Sequence, residues 1–96
     1  QSKIERVYIV AGEDIIGDDT DYIQLQIIRK SDEALIATKT FVEGTDANAY
    51  ETVQFGPVNE DNAFLEFGDG VSLKIVGEGA GMNLPEYVLI IEWDIA

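Results

Sequence analysis

Residues 69–93, with the sequence DGVSLKIVGEGAGMNLPEYVLIIEW, contain the two clearest strand patterns in the chain. Apolar residues recur at every second position from Val71 to Ile75 and again from Tyr87 to Trp93. A period of two places successive side chains on opposite faces of the backbone, so both segments are predicted to be β-strands. The segment between them, GEGAGMNLP, is rich in glycine and ends in proline, which is typical of a loop. The fold is therefore predicted to rest on paired strands, and no residue of this stretch suggests a reaction.

Five further strand patterns precede this stretch and are separated by loops rich in aspartate, glycine or asparagine. They are predicted over residues 3–11, 21–30, 35–42, 50–58 and 63–67. Turn signals recur at short intervals, and no segment is long enough to form a helix with a period of 3.6. The pattern predicts an all-β protein, an antiparallel β-sandwich of jelly-roll or Greek-key type with about seven to eight strands. Residues 1–96 are expected to form a single domain, with residues 1–6 as an N-terminal arm.

Alternation also predicts which side chains fill the space between the two sheets. The expected core residues are Leu25, Ile27, Phe41, Phe55, Leu73, Leu89, Ile91 and Trp93. In the first strand, the pattern places Ile4, Tyr8 and Val10 on one face. Val7 and Ile9 fall on the other face, and this mixture suggests a strand covered on both sides for part of its length.

Charge and missing residue types exclude several classes of function. Nineteen acidic residues against six scattered basic ones give a net charge of −13, so the chain would repel nucleic acid and anionic membranes. It contains no cysteine and no histidine, which excludes disulfides, thiolate or imidazole metal sites, and nucleophiles activated by histidine. No apolar run approaches the roughly 20 residues that cross a bilayer. We therefore expect no nucleic-acid partner, no membrane partner and no cofactor, and the acidic excess favours solubility.

One acidic loop is a candidate calcium site. Asp18, Asp19 and Asp21, together with Asp69, could supply oxygen ligands to calcium, which prefers six to eight of them. The spacing does not match an EF-hand, because Tyr22 stands where that pattern needs glycine. The alternative is a solvated turn in which the carboxylates accept hydrogen bonds from backbone N–H groups.

Glu66 and Glu92 form the candidate carboxyl pair for the hydrolysis of a glycoside, because both alternate with apolar or aromatic residues on strands. That reaction needs one carboxyl group whose pKa is raised by an apolar pocket. Residues in this pattern more often lie on a solvent face. We therefore expect the chain not to be an enzyme.

Several apolar residues fall on the faces opposite the predicted core. They are Ile28, Val42, Val88 and Ile90, and Tyr8 competes with Val7 for one face of the first strand. A contiguous exposed apolar area marks an interface in a soluble protein. Two interpretations stay open, namely contact between copies of the chain or cover by its own loops and N-terminal segment.

Three segments resemble a family of small capsid-associated proteins of tailed bacteriophages, described as head decoration, cement or minor capsid proteins. The segments are DDTDYIQLQIIR at residues 18–29, ATKTFVEGTDANAYE at 37–51 and GDGVSLKIVGEGAGMNLP at 68–85. The resemblance implies a β-sandwich that clusters as a homotrimer on the outside of the head. It would contact the major capsid protein, stabilise the shell and be located in the virion. Such a role needs a rigid module with apolar surface and no catalytic group.

Interface residues can be named from the exposed apolar positions and from charge. They are Lys3, Arg6, Tyr8, Ile28, Val42, Val88 and Ile90. The two cations belong to the predicted N-terminal arm, which is expected to lie on an acidic shell surface.

Two other functions stay open. The first is a tail or fibre attachment module that binds a host glycan or protein through Tyr8, Tyr22, Tyr50 or Trp93, although alternation places Trp93 in the core. The second is a calcium-dependent binding module. Both, like the decoration role, predict a binding protein.

Overall fold

Seven β-strands make up the regular structure of the computed structural model, which describes residues 1–66 and 68–95. The strands are β1 (Ser2–Ala11), β2 (Ile23–Arg29), β3 (Leu35–Thr40), β4 (Thr52–Gln54), β5 (Phe64–Leu65), β6 (Val71–Gly77) and β7 (Tyr87–Ile95). The described ranges contain no helix, and therefore none long and apolar enough to span a membrane. The predicted all-β sandwich is confirmed.

The strands form two antiparallel sheets. In sheet 1, β7 pairs with β1 along its whole length, from Ser2 opposite Ile95 to Ala11 opposite Tyr87. The short strands β4 and β5 pair with the opposite edge of β1. Sheet 2 has the order β3-β2-β6, so β2 is its central strand.

One side of the sandwich is closed by the chain that follows β4. Phe55 N–H donates to the Val7 carbonyl of sheet 1 at 2.8 Å. One residue further on, Gly56 N–H donates to the Thr38 carbonyl of sheet 2 at 2.9 Å. This crossing places β3 and β4 on the same side, so the edge strands β6 and β7 lie together on the other side.

The core lies between the two sheets and is apolar throughout the described residues. The largest fully buried side chains are Ile4, Val7, Ile9, Ile23, Leu25, Ile27, Ile36 and Phe41. Of the predicted core, Leu25, Ile27, Phe41 and Phe55 are buried, and Leu73, Leu89 and Ile91 are partly buried against it. The central strand β2 therefore follows the predicted alternation closely.

A β-bulge in β1 makes one predicted face wrong. The register with β7 shifts between Ile4 and Arg6, so Glu5 is an extra residue on β1. Ile4 therefore joins Val7 and Ile9 in the core, while Tyr8 is left on the outer face. Simple alternation groups Ile4 with Tyr8, but a bulge reverses the phase of every residue beyond it.

Trp93 is the second correction, because it is not a core residue. Its side chain is 62% exposed, although it stands opposite the buried Ile4 on the inner side of sheet 1. β7 is an edge strand, and the indole ring lines an open cleft together with Val71 at the start of β6. Alternation correctly predicts the face on which Trp93 lies, but it does not predict whether another element packs against that face.

Three smaller differences concern the predicted boundaries. Residues 2–6 belong to β1 and pair with β7, where a free N-terminal arm was expected. β4 and β5 are three and two residues long, shorter than the patterns over 50–58 and 63–67 suggested. Phe67, the last residue of the strand predicted over 63–67, lies outside the described residues.

Candidate binding surfaces

The acidic loop before β2 is a turn held by its own carboxylate. Asp18 Oδ1 accepts hydrogen bonds from the backbone N–H groups of Thr20 and Asp21, each at 2.8 Å, and from the Thr20 hydroxyl at 3.1 Å. These bonds, the Asp21 N–H first, lower the pKa of Asp18. The side chain is therefore engaged with the chain itself, as in the solvated-turn alternative.

The carboxylates of the other calcium candidates do not converge on Asp18. Asp21 Oδ1 accepts the Ala80 N–H at 2.8 Å, next to the end of β6. Asp69 precedes the start of β6, where its Oδ2 accepts the Glu66 N–H at 2.9 Å. The length of β6 separates the two by roughly 20 Å. Within residues 1–66 and 68–95, no three acidic side chains are arranged to hold a metal ion, and Asp19 joins no such group.

The two candidate catalytic carboxylates also lie apart. Glu66 accepts a hydrogen bond from the Gln1 side-chain amide at 2.8 Å near β5. Glu92 lies on the outer face of β7, where it accepts bonds from the Arg6 guanidinium and, at 2.9 Å, from the Tyr8 hydroxyl. These two partners lower the pKa of Glu92, Arg6 having the larger effect. A general acid requires the opposite shift.

Arg29 ties the end of β2 to the turn before β3 and to β5. Its Nε and Nη2 atoms donate to the two carboxylate oxygens of Asp32 at 2.9 and 2.8 Å. Its Nη1 atom donates to the Phe64 carbonyl at 2.8 Å. The guanidinium, followed by the Ala34 N–H, lowers the pKa of Asp32 to about 2. The bonds to Asp32 hold the turn within sheet 2, and the bond to Phe64 joins the two sheets.

The Arg29–Asp32 pair predicts a difference in acid stability between the native protein and the D32N variant. A carboxyl whose folded pKa of about 2 lies below its unfolded value stabilises the fold above that unfolded value, about 3.9. This stabilisation is lost as the pH falls from about 4 towards 2. We expect the melting temperature of D32N to lie below that of the native protein at pH 6 and to approach it at pH 2, measured by circular dichroism. A difference independent of pH would contradict the assignment.

The two N-terminal cations predicted to contact a partner both form ion pairs within the chain. Lys3 forms an ion pair with Glu60 and lies 5.8 Å from the centroid of the Phe64 ring. Arg6 forms an ion pair with Glu92 on the neighbouring strand. Exposed pairs of this kind exchange readily, but neither cation is an uncommitted charge in this structure.

The outer face of sheet 1 carries an apolar area that we call the outer patch. It consists of Tyr8 and Val10 on β1 and of Ile90 and Val88, which stand opposite them on β7. Val88 is 62% exposed and Ile90 is 40% exposed. A monomeric sandwich normally places polar residues on such a face, so the outer patch is suited to contact with another protein.

The remaining predicted interface residues lie elsewhere. Val42 is exposed just after β3, and Ile28 is half-buried on the outer face of sheet 2. Neither residue belongs to the outer patch. The structure therefore gathers Tyr8, Val88 and Ile90 on one surface and leaves Ile28 and Val42 on others.

A second apolar area lies where β6 and β7 leave the sandwich uncovered, and we call it the open seam. It forms a cleft of about 300 Å³ lined by Ser2, Ile4, Leu65, Val71, Ile91 and Trp93. Ile75, on the inner side of β6, is 50% exposed. β6 pairs only with β2 and β7 only with β1 in the described part of the chain. Each strand thus presents free backbone N–H and C=O groups beside apolar side chains.

A third concave surface, the tyrosine groove, lies at the end of sheet 1 and measures about 510 Å³. It is formed by Val10–Glu13 at the end of β1, Tyr50 before β4, and Glu86–Val88 at the start of β7. Backbone bonds fix both walls: Tyr50 N–H donates to the Ala11 carbonyl at 2.8 Å, and Gly12 N–H donates to the Glu86 carbonyl at 2.6 Å. The groove brings together residues far apart in the sequence.

The chain is thus an all-β sandwich with exposed edge strands and exposed apolar surfaces. In comparisons with known proteins, no family model, no curated protein and no solved structure matches the chain.

Alternation predicts neither the tyrosine groove nor the open seam as a surface, although the sugar hypothesis names Tyr50 and Trp93. Glu13, Glu86 and Ile75 were not singled out, and Tyr87 was counted only as a strand residue. The register of β1 with β7 and the turn at Tyr50 bring the groove residues together, and neither can be deduced from alternation. An exposed tyrosine inside a polar loop, as in the segment DANAYE, was the one available signal.

Proposed function

We propose that this chain is a structural protein of a tailed-phage virion. It decorates the outside of the head, contacts the major capsid protein and associates into a homotrimer. The resemblance of residues 18–29, 37–51 and 68–85 to head decoration proteins supports this role. The observation that carries the proposal is the exposed apolar surface on β7, with the outer patch on one face and the open seam along its edge.

Two different apolar surfaces suit a ring better than a simple pair. In a two-fold dimer, one patch meets its own copy, whereas a closed ring of three joins two different patches head to tail. The outer patch and the open seam are two such surfaces on one module. Placing them in contact would remove Val88, Ile90 and Trp93 from water, each of which is 40% exposed or more.

A cement protein also needs a stiff body and a solvated surface. The two sheets share one dry core, and the described residues include no buried charged side chain. The net charge of −13 keeps free copies apart at the high local concentration of a decorated shell. Cementing of this kind requires no reaction, so the chain acts by binding alone.

Sedimentation of a charged variant tests the self-association. We expect the native protein to sediment as a trimer and the double variant V88K/I90K to sediment as a monomer at the same concentration. Each of these apolar side chains is expected to contribute about 1–2 kcal/mol at the centre of the interface, so replacing both weakens assembly by roughly a hundredfold. The matched control is Q26K/S72K, which adds the same two charges to the outer face of sheet 2 and is expected to remain trimeric.

Binding to the shell is tested with capsids of the phage that encodes the chain. Added protein is expected to co-sediment with expanded capsids and to raise the temperature at which they release DNA. A native chain that sediments as a monomer throughout the micromolar range and leaves capsids unbound would overturn the proposal. Trimers that bind a host glycan or host protein and ignore capsids would replace it with an attachment role.

A further inference from the structure

Tyr50, in the lining of the tyrosine groove, has a backbone conformation that is unfavourable for a tyrosine. Tyr50 has a φ of +63°, the left-handed region that side chains with a Cβ atom adopt at a cost. Its side chain is 80% exposed, so burial of the ring returns little of that cost. Glycine or asparagine would hold the same turn with less strain. Strained residues of this kind cluster at binding sites, so the exposed Tyr50 ring is a candidate contact for a ligand.

The groove combines this ring with aliphatic side chains of sheet 1, and Tyr87 completes its lining. Tyr87 stands opposite Ala11 in the β1–β7 register, and Tyr50 N–H is bonded to the carbonyl of the same Ala11. The two tyrosines thus flank the end of β1 from its two edges. Val10 and Val88, opposite each other in the register, add aliphatic surface on the outer face of sheet 1, whereas Tyr87 begins β7 in phase with the inner face.

The charges of the groove have one sign. Glu13 and Glu86 are both exposed and belong to its lining, and the groove-lining residues that the structure describes include no lysine or arginine. The basic residues Lys3, Arg6 and Arg29 form ion pairs outside the lining of this groove. In a chain of net charge −13, the local potential is negative and attracts a cation.

We propose that the tyrosine groove binds a lysine or arginine side chain presented by a protein partner. The aliphatic stem of such a side chain packs on Val10 and Val88, as long basic side chains do on apolar surface. Its charged head lies over the face of Tyr50 and pairs with Glu13 or Glu86. A neutral sugar would use the rings but gain nothing from the two carboxylate charges. Val10 and Val88 also belong to the outer patch, so this site and the trimer of the proposed function use part of the same surface. The test is therefore made at a concentration where the chain sediments as a monomer.

The test uses the native protein and three short peptides followed by amide NMR in low salt. The probes are acetyl-SGRGS-amide, its lysine counterpart, and the same peptide with citrulline, which keeps the shape of arginine and lacks its charge. We expect saturable shifts at the amides of Gly12, Tyr50 and Tyr87 with both basic peptides. The citrulline peptide is expected to bind about tenfold more weakly, and added salt to weaken the arginine peptide further.

Two variants separate binding from folding. Y50G is expected to melt at the same or a higher temperature than the native protein and to bind the arginine peptide about tenfold more weakly. E86Q is expected to lose affinity similarly, while E43Q, with the same change of charge in a loop outside the groove, is expected to bind normally.

Several results would overturn the proposal. They are the absence of saturable shifts with the basic peptides, equal binding of the citrulline peptide, unchanged binding by Y50G, and shifts confined to the open seam. Shifts of the same amides by maltotriose, with none from the peptides, would assign the groove to a glycan instead. A chain that binds the arginine peptide but no capsid would keep this inference and remove the proposed function.

Discussion

Replacing Phe41 with alanine is expected to lower the free energy of unfolding by about 3–5 kcal/mol. The Phe41 side chain is fully buried between the sheets, and its backbone N–H donates to the Ile23 carbonyl at 2.9 Å. Alanine would leave a cavity with backbone on one side that cannot collapse to fill it. For a domain of this size, the loss corresponds to a fall in melting temperature of roughly 15–30 °C. Thermal unfolding followed by circular dichroism measures it.

Trp93 provides the matched control, because alternation assigns both aromatic residues to the core. W93A removes an even larger ring, but the ring is 62% exposed, so we expect a loss below about 1.5 kcal/mol in the monomer. The comparison is made at a concentration where the protein sediments as a monomer, since assembly would bury the indole. Equal losses in F41A and W93A would show that the seam is closed in solution.

The contrast between these two residues shows how far alternation reaches. Phe41 is preceded by an edge strand but is covered by the loop before β2, whose Asp18 N–H donates to the Phe41 carbonyl at 3.2 Å. Trp93 has the correct face and lacks a covering element. A period of two reports the direction of a side chain, whereas burial depends on the strand or loop that lies above it.

Register shifts between paired strands are a second feature that alternation does not predict. At the Glu5 bulge, β1 contributes one more residue to the pairing than β7 does. In sheet 2, the register of β2 with β3 shifts between Ile27 and Ile28. Neither sequence contains a glycine or proline to mark the irregularity. The number of strands and their places along the chain were predictable from turns and alternation, and so was the burial of Leu25, Ile27, Phe41 and Phe55. The outer patch was predicted in part, through Tyr8, Val88 and Ile90, because their phase on β7 and its partner is regular beyond the bulge.

The tyrosine groove could not be predicted from local sequence patterns either. Its residues come from the end of one strand, the start of another and an intervening turn, and they meet only after both edges of β1 are occupied. Local patterns describe each piece as loop or strand. The binding surface arises from the contacts between them, which is why the sugar hypothesis named Tyr50 but could not name Tyr87 or the carboxylates beside it.

The second large effect is expected at Gly17, in a loop that the sequence describes only as polar. A Cβ atom there would overlap the carbonyl oxygen of Val42 and lie 2.5 Å from that of Thr45. Both obstacles are backbone atoms, so the loops themselves would have to separate. We expect G17A to lose about 3 kcal/mol of stability, the upper end of the usual cost of overpacking. Equilibrium unfolding in urea measures the change.

Two loops pack against each other around this glycine. Ile15 and Ala47 exchange backbone hydrogen bonds at 2.7 and 2.8 Å, and Gly17 N–H donates to Asp46 Oδ1 at 2.7 Å. The contact continues to the groove, because Asp14 Oδ1 accepts the Ala49 N–H at 2.7 Å, one residue before Tyr50. Separation of the loops at Gly17 should therefore also displace the Tyr50 ring.

G70A is the control for this prediction, because a Cβ atom at Gly70 would meet nothing within 4 Å. It is expected to change stability by no more than about 0.5 kcal/mol. If G17A proved as stable as G70A, the close approach of the two loops would be wrong, and the position of Tyr50 would lose its support. G17A could instead be destabilised but folded and bind the arginine peptide as tightly as the native protein. That result would show that binding in the groove does not depend on the loop contact at Gly17.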